Sequence, residues 1–233
     1  MKPNLHRRDF INTGLKFAIV SGLIGTGSLI SCGKGKEDDD KEVSPPEDLM
    51  QEHGVLNRVL LIYDACKNDL VQKKDIHKDA LLKATGIIRT FVEDYHEKQE
   101  ENYLFPRFEK AGLLTDLTET LRQQHKVGRQ LTDNIRSLCL AGSINEQEKQ
   151  KLVEFLDRFN VMYRPHEARE DTVLFPAFRK LVSRNEYDSL GEEFERNERK
   201  LFGTQGFEAV VSNVSEIEKQ LGIYELKQFT PPV

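Results

Sequence analysis

Two fifteen-residue stretches, 70 residues apart, carry the residue types that could do chemistry. His96-Glu97-x-x-Glu100-x-x-x-Leu104-Phe105-Pro106-x-Phe108-x-Lys110 returns as His166-Glu167-x-x-Glu170-x-x-x-Leu174-Phe175-Pro176-x-Phe178-x-Lys180. Each copy places a His and a Glu four residues apart, one turn apart on the same face of a helix. An imidazole and a carboxylate so placed can hold one metal ion together. Two copies point to two ions, or to one two-metal centre.

Helices must position these pairs. Apolar residues recur at helical spacing, and alternating strand-like runs are absent. Ser44-Pro45-Pro46-Glu47 has the pattern of a capped helix start. A first helix is expected over about 47–69. Asp75 is expected to cap a second to about 110, and Thr115 a third to about 141. Ser143-Ile144-Asn145-Glu146 is expected to open a fourth, to about 182. Short connections between four such helices imply an all-α, up-down-up-down four-helix bundle over 47–182. Pro106 and Pro176 are each expected to bend a helix beyond its His/Glu pair. Residues 183–233 read as a C-terminal helical extension, with Asn185 as a cap and Phe202, Phe207, Val210, Ile217 and Leu221 docking on the bundle.

The chain has six histidines. His6 lies near the N-terminus, and His77 has no partner at metal spacing and reads as a surface residue. The other four fall one per helix: His53, His96, His125 and His166. Counted from a shared end of the bundle, they stand 16 or 20 residues up their helices, roughly 24 and 30 Å at about 1.5 Å per residue. All four imidazoles can therefore converge, with Glu100 and Glu170 beside them. Two buried carboxylates without a cation would cost several kcal/mol each. The pattern is therefore read as a metal site. Imidazole and carboxylate ligands suit Fe, Mn or Zn.

As a set, Glu52-His53, His96 with Glu100 and Leu104-Phe105-Pro106, His125, and His166 with Glu170 and Leu174-Phe175-Pro176 resemble the hemerythrin family in its broad HHE cation-binding form. The resemblance covers about 47–182. It implies a left-handed four-helix bundle around two Fe ions in a non-heme, oxo-bridged di-iron centre bridged by carboxylates, with Mn or Zn less favoured. One position departs from the oxygen carriers, which have a second His one turn after the helix-three His. Here that residue is Arg129. Glu97 is a candidate replacement ligand, with water the alternative, and Glu167 holds the matching place in helix four. Tyr163, one turn before His166, is expected either to pack in the core or to hydrogen-bond behind the ligands. Glu93 is its counterpart before His96.

Residues 1–32 read as an export signal. Arg7-Arg8-Asp9-Phe10-Ile11 resembles a twin-arginine motif, and Leu29-Ile30-Ser31-Cys32 a bacterial lipobox with Cys32 as the lipidated residue. Residues 33–46 read as a flexible acidic tether. The expected location is outside the cytoplasm, facing periplasm or cell surface, held to a bacterial membrane by an N-terminal lipid anchor. The formal net charge is −5. Removing residues 1–31 takes away four basic side chains and one acidic one, so the mature chain is more acidic still and nucleic acid is not an expected partner. Cys66 and Cys139 should lie on diagonal helices, too far apart for a disulfide, and are expected as buried free thiols.

Three functions remain open on the sequence. The first is a di-iron protein that binds dioxygen, nitric oxide or peroxide. The second is an iron oxidase or peroxidase. The third is a structural bundle with a vestigial site.

Overall fold

The computed structural model describes residues 44–232, and all of its regular elements are helical. The expected export signal, its Cys32 and the expected tether up to residue 43 lie outside the described residues. Helix α1 is Pro45–Val71. Helix α2 spans 78–111, and α3 is Thr115–Leu140. Helix α4 spans 146–181. Two more helices follow, α5 at Arg184–Phe202 and α6 at Gly206–Gln220. No helix among the described residues is long and apolar enough to cross a membrane.

Local chemistry sets most of the starts. Ser44 accepts from the Glu47 N–H while Glu47 returns a bond to the Ser44 N–H, a reciprocal cap with Pro45 and Pro46 in the first turn. The helix thus takes in Pro45 and Pro46, which the sequence reading gave to the tether. Four expected caps are displaced. Asp75 caps nothing, because α2 begins after His77, which sits in the left-handed region at φ 50°. Thr115 is already helical, and Leu114 turns the chain at φ 50° instead. Asn145, not Ser143, makes the cap of α4, paired with Glu148. Ser183 rather than Asn185 caps α5.

Cross-helix pairs show α1–α4 and α2–α3 running antiparallel. Along α2 and α3, Lys78 meets the Ala141 carbonyl, Arg89 meets Asp133, and Glu109 meets Arg122. Along α1 and α4, His53 meets Asp171, Asp64 meets Arg164, and Lys67 meets Asp157. Helices α1 and α3 are diagonal, and Cys66 and Cys139 on them are buried free thiols.

The two prolines do not end their helices. Each is preceded by a wide π-helical turn, Glu100–Leu104 or Glu170–Leu174, in which the N–H of Phe105 or Phe175 reaches back five residues to the carbonyl of Glu100 or Glu170. A proline has no N–H and its ring clashes with the carbonyl four residues back in an α-helix; a wider turn accommodates both. The bend expected at Pro106 and Pro176 is taken up this way. A further π segment, Ile88–His96, leads into the first motif.

The core has two apolar layers. One includes Leu49, Phe105, Phe108, Leu121, Phe175 and Phe178, joined by Leu190 and Phe194 of α5. The other includes Val59, Tyr63, Phe91, Ile135, Leu156 and Phe159, joined by Val210, Val214 and Ile217 of α6. Arg58 also holds α6, through Glu218 and Ser215. The four histidines lie in the chain between residues of these two layers, so the polar residues form a sheet of chemistry inside an apolar bundle.

Candidate metal centre

The structure brings His53, His96, His125, His166, Glu100 and Glu170 together. They form two four-residue groups with ligand atoms within 4.8 Å of one another: His53, His96, Glu100 and Glu170, and His125, His166, Glu100 and Glu170. Both carboxylates are common to the two groups. Glu170 divides its oxygens, with Oε2 3.3 Å from His53 Nε2 and Oε1 3.2 Å from His166 Nε2. Glu100 Oε2 lies 3.8 Å from His96 Nε2 and 3.4 Å from His125 Nε2.

Each imidazole is held from behind through Nδ1, which turns Nε2 inward. His53 Nδ1 is 2.8 Å from Asp171, His96 Nδ1 2.8 Å from Glu52, His125 Nδ1 3.1 Å from Glu101, and His166 Nδ1 2.9 Å from the Gln124 amide oxygen. A hydrogen bond of this kind fixes the ring and its tautomer and makes the other nitrogen a better donor to a metal. Phe175 stacks on His53 and Phe105 on His125. The phenylalanines of the repeated Leu-Phe-Pro therefore form the walls of the centre.

These residues fit a cation. Both oxygens of Glu100, both of Glu170 and Nε2 of His125 are buried with no hydrogen-bond partner. His53 and His96 face each other Nε2 to Nε2 at 3.1 Å. Two such nitrogens can share a hydrogen bond only if their protonation differs. Burial opposes charge on His53, but Asp171 and Glu170 outweigh it and hold its pKa at about 10. Burial and the charged His53 keep His96 well below the usual imidazole value, and burial takes His125 down to about 4. Burial and the facing Glu170 push Glu100 well above the carboxylate range. Glu170 is also buried, yet His166 and His53 hold it well below that range. The two facing carboxylates are thus driven apart in acidity, Glu100 up and Glu170 down.

Glu97 lies outside both four-residue groups. Its Oε2 is 2.6 Å from Arg129, and its Oε1 accepts the Tyr163 hydroxyl at 2.7 Å. Burial lifts its pKa to about 8 even so, with Arg129 and Tyr163 opposing. Glu97 also falls in a third group with Glu101 and His125, where the Arg129 guanidinium already supplies positive charge. Tyr163 both packs on Phe159 and donates to Glu97, so the two roles weighed for it are combined. Gly128 makes room for it: a Cβ there would lie 2.1 Å from the Tyr163 hydroxyl. Glu93 is buried and pairs with Arg89 at 2.7 Å rather than with an imidazole. Glu167 takes a hydrogen bond from Asn57. His77 is half-buried and bonds Asp69 at 2.9 Å.

Sequence reasoning missed Glu101, Asp171 and Gln124 as supports, and took Glu52 only as part of the resemblance. A signal was present: both copies of the motif carry an acidic residue directly after the second Glu, Glu101 and Asp171, and both single histidines follow a Glu or Gln.

Fold and site together define an all-helical bundle with buried His and carboxylate clusters able to hold cations. The chain belongs to the hemerythrin HHE cation-binding domain family, whose model matches residues 44–148 and 116–205. It is also similar to proteins described as uncharacterized in Mycobacterium tuberculosis and Mycobacterium bovis. Each is 46% identical over 211 residues, covering 88% of this chain and 83% of the relative. No solved structure matches.

Proposed function

We propose that this is a non-heme di-iron protein that binds dioxygen, nitric oxide or peroxide outside the cytoplasm. The observation that carries the reading is the set of four buried, unpartnered carboxylate oxygens on Glu100 and Glu170 between four imidazoles. In this reading His53 and His96 hold one ion, His125 and His166 the other, and Glu100 and Glu170 serve both. Family membership favours iron, because the donor set alone also admits manganese and zinc. When bound, iron supplies redox chemistry and coordination positions for an added ligand.

The chain's own residues narrow that ligand. The six residues are 0–3% exposed, so what reaches the centre is small. Phe105 and Phe175 keep water from the ring faces of His125 and His53. Glu97 is held by Arg129 and Tyr163, which supports water, rather than Glu97, in the place of the fifth histidine. The extracellular location rests on the signal-like residues 1–32.

The test is the optical spectrum of the iron-loaded, reduced protein as air is admitted. A charge-transfer band that persists and reverses when oxygen is removed is the expected result. Irreversible oxidation without an adduct would sink the binding reading, and repeated turnover of ferrous iron or peroxide would favour an oxidase or peroxidase.

A further inference from the structure

The two halves of the centre follow a near two-fold pattern. His53 and His125 each take a wall from a Leu-Phe-Pro phenylalanine and donate through Nδ1 to the residue after a shared Glu, Asp171 or Glu101. His96 and His166 are each backed by the residue preceding the other histidine of their pair, Glu52 or Gln124. Four residues after His53 and His125, Asn57 and Arg129 hold Glu167 and Glu97.

The pattern breaks in charge. Behind His96 stands the carboxylate of Glu52, buried; behind His166 stands a neutral amide. Arg129 replaces Asn57, and it contacts Glu101 as well as Glu97, at 2.7 and 2.6 Å. Glu101, the carboxylate behind His125, is thus shared with Arg129 and with Lys98 at 2.5 Å. Asp171 behind His53 is the more exposed of that second pair, which weakens its share through solvent screening. The difference between Glu52 and Gln124 is therefore the largest asymmetry, and Arg129 adds to it in the same direction.

A carboxylate accepting the Nδ1 proton makes an imidazole a stronger donor than an amide does, and a nearby guanidinium disfavours a second cation. We infer that the two metal positions are unequal: the one built on His53 and His96 holds a divalent cation tightly, and the one built on His125 and His166 holds it weakly and exchanges first. The inference rests on the two-metal reading of the site.

The test is calorimetric and optical titration of the metal-free full chain with Co²⁺, whose visible bands report each site as it fills. The expected result is two steps of one ion each, separated by roughly tenfold or more. His166→Ala should leave only the tight step, and His53→Ala only the weak one. Glu52→Gln should weaken the tight step by about 10–100-fold and bring the two steps together. Gln124→Glu should instead strengthen the weak step, and this variant decides the matter if Glu52→Gln fails to fold. Two equal steps in the wild type, or variants that shift both steps alike, would overturn the inequality while leaving the two-metal reading intact. Absence of binding by the wild type would overturn the two-metal reading and the inequality with it.

Discussion

Arg129 takes the place where an oxygen-carrier pattern would have a fifth histidine, and its guanidinium faces carboxylates instead of a metal. It is 23% exposed, while Glu97 beneath it is buried. Removing Arg129 leaves the buried Glu97 carboxyl, already raised to about 8 by burial, with the Tyr163 hydroxyl as its remaining donor. Arg129→Met should lower stability by about 2 kcal/mol, below the full cost of a buried pair because the Arg is partly solvated. Adding Glu97→Gln should restore much of the loss, as urea midpoints of the single and double variants would show. The thiols offer a pH test. Burial raises Cys66 to about 12 and Cys139 to about 11, from an unfolded value of 9.0. Below that unfolded value both states carry neutral thiols. Above it the unfolded chain ionises first and binds fewer protons, so stability falls as pH rises toward the folded values. Urea midpoints between about pH 8 and 10 should decline, with Cys66 contributing about 1 kcal/mol per unit; Cys66→Ser should flatten the slope. The His96/Glu100 and His166/Glu170 pairs were legible because their spacing is written twice in the chain, and His53 and His125 because they fall at matching heights on their helices. Its outer supports were harder to read. Glu101 and Asp171 look like ordinary charges on a helix face, and nothing local tells which imidazole across the bundle they reach.

At the scale of elements, close approach and turn pitch do the positioning. Helix α3 meets α4 at Gly128, where any side chain would collide with Tyr163. Gly128→Ala should cost about 1–3 kcal/mol by overpacking. Adding Tyr163→Phe should recover part of it, since that removes the closest clashing atom, and a double-mutant cycle would measure the coupling. Helix existence and order follow from the apolar period, and that period was enough to place one histidine on each helix. The start of α1 followed from the reciprocal cap at Ser44, and the starts of α4 and α5 shifted to the neighbouring caps Asn145 and Ser183. The starts of α2 and α3 shifted where the chain turns through a left-handed residue, His77 or Leu114, because non-glycine residues give no advance sign of that conformation. The π turns were not read, although Pro106 and Pro176 marked the places that need them.

At the scale of the whole molecule, α5 and α6 complete both apolar layers through Leu190, Phe194, Val210, Val214 and Ile217. A chain ending at residue 182 should therefore unfold at lower urea than the full chain and expose apolar surface to a hydrophobic dye. With Cys32 as the proposed lipid anchor, Cys32→Ser should move the protein out of the membrane fraction of expressing cells. In the proposed function, two shared carboxylates and four imidazoles hold a pair of metal ions. Elemental analysis of the purified protein tests it most directly, comparing wild type with the Glu100→Ala/Glu170→Ala variant. Two iron ions per folded wild-type chain, lost in a variant that still shows helical circular dichroism, is the predicted result. A wild type without metal, or a variant that keeps the same metal content, would contradict it.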